Sequence, residues 1–249
     1  MVNYEEAVKK PFTDLAKLFV GIILSAIPIV NWVAQGFIIE CSSLGKNKSS
    51  KKMPDWKNFG DLFLKGLLSY IIIFIYAIPA IIVFAVTLGY VASSVFPSFV
   101  GIMPEGFISS VMAGQVAPKE GIGELISQNW MRLAPTIATV SVALVPLALI
   151  GMVLLVAAVY LSPIAVLNYL KNKSFGKAFD LGFVISKALT LKYLIVWLIA
   201  GITSMVLKSV LVSISWLGPW IGSAIAFFIS SVIAYSLYGQ AFKEIKSKK

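Results

Sequence analysis

Lys208, Asn31 and Gln35 are the side chains whose chemistry is out of place, because each interrupts a long apolar run. A charge held at mid-membrane costs about 2.5–3.5 kcal/mol on the insertion scale and by default marks a substrate or ion path. Lys208 lies roughly two-thirds along the apolar segment 193–214, so its stem can also carry the ammonium group outward to water. Asn31 and Gln35 stand one helical turn apart beside Pro28. Such amides either satisfy backbone groups freed by the proline break or line a polar cavity. Other chemistry is scarce. There is no histidine, the commonest general base and metal ligand. The single cysteine, Cys41, makes neither an intrachain disulfide nor a thiolate cluster, although a juxtamembrane cysteine is a substrate for acylation. No phosphate loop, nucleophile elbow or zinc motif occurs. The expectation is a non-enzymatic chain with no catalytic residue, no cofactor and no metal.

The elements that must position these groups follow from hydropathy. Hydrophobic residues make up 59% of the chain and charged residues 13%, against about 25% charged in a soluble domain; the mean hydropathy is +0.90. Charge-free runs cover Leu18–Ile39, Gly66–Pro104, Leu133–Leu170, Tyr193–Leu207 and Ser209–Phe242. A membrane-spanning helix needs about 20 such residues. The expected fold is all-α, a single polytopic transmembrane bundle over 1–249. It should have about five to six membrane-embedded segments and short interfacial amphipathic helices. The first run is longer than the apolar core of a signal peptide, about 7–15 residues, and follows Glu5, Glu6 and Asp14.

Charge sets the expected orientation. Segments 43–58 and 170–192 each carry net +4 and 243–249 carries net +3, whereas 93–132 carries net −1. Basic loops beside spans stay cytoplasmic. The expectation is therefore a multi-pass cell-membrane protein with a cytoplasmic C-terminus and 93–132 as an extracytoplasmic insertion. The lysines point to anionic lipids of the inner leaflet as partner. No basic face with interleaved aromatics stands clear of the bilayer, so nucleic acid is not an expected partner.

The phrase Lys-Asn-Lys-Ser occurs twice, at Lys46–Ser49 and Lys171–Ser174. Each copy precedes a Phe-Gly-x-x-Phe-x-x-Gly octet, Phe59–Gly66 and Phe175–Gly182. The spacing predicts a short helix with one aromatic face in each, lying flat at the inner surface. Trp56, Phe59, Phe63, Phe175 and Phe179 are then interfacial anchors, with Asp55 a candidate cap. A hairpin follows each octet, with spans near 66–90 and 137–161, then 193–214 and 219–241. Together these suggest internal repeats over 54–161 and 174–241, with a weaker copy over 12–44.

Two arrangements fit the first apolar run. Broken at Pro28 and Asn31, it forms a re-entrant hairpin; unbroken, it is one kinked span over 18–40. In the last run Gly218, Gly222, Ala226, Ser230 and Ala234 recur every four residues. Small residues at that spacing let helix backbones approach closely, either within the chain or across a homo-oligomer interface.

The stretches Leu24–Phe37 and Met53–Leu67 resemble the N-terminal half of the prokaryotic membrane-protein family known as domain of unknown function 4013. Pro28, Gly36, Pro54, Trp56, Leu62, Phe63 and Gly66 occupy the places of its pattern. Tyr160–Gly182 is similar to the same family and to membrane domains of the glycerophosphodiester phosphodiesterase type. The resemblance implies a multispanning protein and supplies no activity. Two functions remain: an organiser of lipids or partner proteins, and a transporter or permease-like subunit. A polar cavity lined by Asn31, Gln35 and Lys208 would favour the second.

Overall fold

The computed structural model describes residues 2–47, 49–103, 122–213 and 218–245. All regular structure among them is helical. In chain order the helices are α1 (Tyr4–Lys9), α2 (Leu15–Ala26), α3 (Asn31–Glu40), α4 (Phe59–Val100), α5 (Ile122–Gln128), α6 (Trp130–Asn172), α7 (Leu181–Ala188), α8 (Leu191–Val212) and α9 (Gly218–Glu244). Two 3-10 turns, Lys10–Thr13 and Phe175–Phe179, precede α2 and α7. α4, α6, α8 and the segment Trp220–Glu244 of α9 are long and apolar enough to cross a membrane.

Residues 1–76 and 157–249 form one compact unit and residues 77–156 another. In the first, α9 packs most extensively against α8 and also touches α1, α2 and α3. Local chemistry sets the helix starts: Asp14, Asp180 and Thr190 side chains accept from the backbone N–H of Lys17, Phe183 and Tyr193, which satisfies donors that lack intrahelical partners. Within residues 77–156, Gly151 abuts the Phe84 ring and the Ser98 hydroxyl lies 3.5 Å from that of Thr136. These pairings run antiparallel, so the two long helices form a hairpin here.

The first apolar run folds back on itself. Ile27, the residue before Pro28, leaves the helix with φ −100° and ψ 118°, as sterics before proline require. Ile29 then adopts φ 69°, the left-handed region that a β-branched residue rarely enters. The arms, α2 and α3, are about 18 Å and 15 Å long at ~1.5 Å per residue. Their far ends meet, because Lys10 Nζ donates to the Cys41 carbonyl at 2.7 Å. The hairpin forms, not the single kinked span. Glycines seat it: a methyl on Gly36 would overlap the Leu62 carbonyl, and one on Gly66 the Trp32 carbonyl, so α3 and α4 cross backbone to backbone. Gly239 of α9 meets the Ser42 backbone in the same way.

Three expectations need correction. Phe59–Gly66 is not a separate flat helix but the first two turns of the 42-residue α4. Phe175–Gly182 is a 3-10 turn that breaks at Asp180 before α7 begins. Asp55 does not cap α4, which starts four residues later; its carboxylate pairs with Lys17 at 2.8 Å. The nearer local match is between the turn into Asp14-capped α2 and the turn into Asp180-capped α7. Helices also occupy much of the stretch 93–132: α4 continues to Val100 and α6 begins at Trp130. Residues 104–121 lie outside the described residues.

Candidate functional site

At the turn of the α2–α3 hairpin is a cavity of about 590 Å³, lined by Ser25, Pro28, Asn31, Tyr70, Ser223, Phe227 and their neighbours. The Ser25 hydroxyl is committed to the Gly21 carbonyl at 2.7 Å. The Asn31 Oδ1 is buried and has no hydrogen-bond partner among the described residues. Gln35 and Lys208 do not line this cavity. Gln35 is buried one turn further on, against the Tyr235 hydroxyl. Lys208 is exposed on α8, beside the exposed Met205 and Val206. The three groups are therefore dispersed, and Lys208 has the environment of a stem that reaches outward.

The small-residue stripe of α9 faces the interior of the chain. Ala226, Ser230 and Ala234 are buried. A methyl on Gly222 would stand 2.6 Å from the Leu211 carbonyl oxygen of α8, closer than any side chain tolerates. Gly218 begins the helix, and its surroundings lie outside what the structure describes. Trp220 is 68% exposed.

The aromatic anchors divide. Trp56 is half-buried and stacks on Phe37 with ring centroids 3.9 Å apart. Its indole N–H donates to the Lys17 carbonyl at 3.1 Å, so Trp56 ties the hairpin to the loop before α4. Phe63 lies 5.4 Å from Trp32 and is partly buried, whereas Phe59 is 50% exposed. Phe175 and Phe179 meet edge to face at 5.2 Å, and Phe179 stacks on Tyr76, whose hydroxyl donates to the Ala178 carbonyl at 2.8 Å.

Three ionisable groups escaped the sequence reading. Glu40 is 2% exposed; its carboxylate accepts from Lys65 Nζ at 2.5 Å and from the Asn47 N–H at 3.0 Å. Lys65 also holds Asp61 at 2.8 Å, and Asp61 pairs with Lys46 at 3.0 Å. The signal was available: Glu40 is the acid that ends the Leu18–Ile39 run. Lys10 is fully buried and donates to the Cys41 carbonyl past the C-terminus of α3. Lys187 is 5% exposed and donates to the Phe242 and Ile245 carbonyls at the end of α9. Both ammonium groups satisfy carbonyls left over at a helix C-terminus, where positive charge is favoured. Burial nevertheless holds both below the usual ammonium range, with Lys171 adding repulsion at Lys187. Cys41 is buried, and burial pushes its thiol up to about 12, so neither acylation nor thiolate chemistry is favoured there. Among the described residues no cluster of three or more histidine, cysteine or acidic side chains could hold a metal.

No curated protein matches the chain, and no solved structure matches it. The family described as protein of unknown function (DUF4013) matches residues 20–239, a span that includes the turn and second arm of the hairpin, the crossing at Gly36 and Gly66, and most of α9. This chain belongs to the DUF4013 family.

Proposed function

We propose that this protein is a non-enzymatic, multi-pass membrane protein that organises lipids, with its basic loops and C-terminus cytoplasmic. One observation carries the choice over transport. The polar groups that a transport path would gather are scattered among a largely apolar cavity, the packed core and the outer face of α8. Outward apolar surface and lysine-rich loops suit contact with anionic inner-leaflet lipids. On this view the Phe-Gly octets lie near the inner interface, where Phe59 stays available to lipid.

The transporter reading draws on the Asn31 cavity, whose orphaned amide oxygen could accept from a ligand. Extraction of the protein with its surrounding lipid in polymer nanodiscs separates the two. Organisation predicts anionic lipid enriched over the bulk membrane; a bulk-like composition, with uptake of solute into proteoliposomes, overturns it. Orientation has its own test. Because native Cys41 is buried, a cysteine placed at Lys51 or Lys173 should be the site that reports. Labelling by an impermeant maleimide should fail on intact cells and succeed after lysis. Labelling from outside would reverse the topology.

A further inference from the structure

The two Lys-Asn-Lys-Ser loops, more than 120 residues apart in sequence, come together at one place. Lys46 of the first and Lys173 of the second line a single cavity of about 290 Å³. Lys65 joins them, with Asp61, and Leu64, Leu68 and Leu170 supply apolar walls. Leu64 is 57% exposed. Lys173 sits just past the end of α6 with φ 53°, the left-handed turn that commonly closes a helix. That turn puts its side chain on the cavity instead of continuing the helix.

We propose that this cavity binds the headgroup of an anionic phospholipid, a phosphodiester monoanion, with the first acyl carbons against Leu64 and Leu68. The proposal rests on the lipid-organising reading above and names its lipid class. Charge selects the ligand. Lys46, Lys65 and Lys173 share the lining with one carboxylate, Asp61, and the buried Glu40 stands behind Lys65. The local balance is a single positive charge, which suits a phosphodiester and disfavours the dianion of a phosphomonoester. Lys65 and Lys46 are already paired to carboxylates. Lys173 makes no ion pair among the described residues and is the ammonium group that an incoming phosphate would complete. Basic pockets between spanning helices on the cytoplasmic side are a known setting for anionic headgroups. The volume admits a headgroup and its ester carbons, not a whole lipid. A single headgroup held by both loops would give the repeated phrase a purpose that neither octet explains.

The test uses the purified full chain in neutral detergent, titrated with short-chain phosphatidylglycerol, short-chain phosphatidylcholine, glycerol 3-phosphate and inorganic phosphate. Phosphatidylglycerol should bind at least about fivefold more tightly than the others. The Lys46→Gln/Lys173→Gln variant should lose about fivefold per lysine. Lys51→Gln/Lys52→Gln removes the same charge from exposed positions outside this lining and should change affinity less than twofold. Leu64→Glu, which adds a carboxylate at an exposed position without removing an ion pair, gives a second route to the same loss should the double variant fold poorly. Unchanged phosphatidylglycerol binding in both cavity variants overturns the site while leaving a general preference for anionic lipid intact. No preference in the unmodified protein overturns both readings. Equal binding of glycerol 3-phosphate overturns the lipid source.

Discussion

α9 is the least apolar of the four long helices and the most buried, whereas α4 and α6 are the most apolar and bury as little as α8 does. The best spanning stretch of α9 has mean hydropathy 1.7 with 61% of its residues buried; those of α4 and α6 have 2.8 and 2.9 with 11% buried. In water this order would be reversed, since burial there is driven by removing apolar surface from solvent. In lipid the surroundings are as apolar as leucine, so hydrophobicity gives no reason to go inside. What places α9 at the centre is its lack of bulk: Gly222 against Leu211 and Gly239 against Ser42 let neighbouring backbones come close, with Ala226, Ser230 and Ala234 buried between them. α4 and α6 carry Phe74, Leu149 and Val153 outward instead.

The largest expected contrast is between two phenylalanines. Phe228 of α9 is fully buried; its ring fills the space that Gly21 leaves open and lies 6.0 Å from Phe37 and 6.4 Å from Trp56. Phe74 of α4 is 60% exposed. Phe228→Ala should destabilise the purified protein by about 3–5 kcal/mol, the usual cost of deleting a buried ring, and Phe74→Ala by less than about 0.5 kcal/mol. Melting in detergent checks both. Similar losses would mean that α9 is no more central than α4.

A smaller contrast lies within α9 itself. Gly222→Leu forces a side chain against the Leu211 carbonyl and should cost about 1–3 kcal/mol. Ile221→Leu, at an adjacent position that is 51% exposed, should leave the melting temperature nearly unchanged. Equal melting would place the stripe on a lipid-facing surface and reopen it as a contact between copies of the chain.

These positions also show what the sequence disclosed. The stripe was legible because a four-residue spacing of small side chains has one geometric use, close backbone approach; the break at Pro28 and Asn31 was legible too, but it fitted a hairpin and a kinked span alike until the structure showed α2 and α3 folded back. The octets misled because their spacing marks a helix with an aromatic face but does not say where that helix stops. Phe59–Gly66 simply runs on into α4. Asn31, Gln35 and Lys208 shared a chemistry, yet placing them in one cavity needed the relative rotation of α3 and α8, which composition does not encode. Glu40 and Lys65 were invisible as a pair because only the Gly36–Gly66 crossing brings α3 and α4 close enough. The two lysine loops were seen as twins before anything showed that Lys46 and Lys173 face one cavity.

The smallest expected effect concerns the C-terminal end of α9, where packing encloses a charge. Lys187 donates to the Phe242 and Ile245 carbonyls and lies over the Phe242 ring at 4.4 Å, while Lys171 faces the same ring at 5.6 Å. Burial and the Lys171 charge lower its pKa from the ordinary 10.5. The unfolded chain therefore binds more protons than the folded one between the lowered value and 10.5, and stability must rise with pH across that window. Below it both states are protonated and the cost of burying the ammonium group is constant; above it both are neutral. Lys187→Met removes the titration, and Lys10, lowered in the same sense, is common to both proteins and drops out of their difference. Raising the pH from 8 toward 10.5 should lift the melting temperature of the unmodified protein relative to Lys187→Met by about 2 °C or less. Parallel curves would show that Lys187 keeps its charge at no cost, which requires water at the end of α9 and a looser fit there than along the glycine contacts above it.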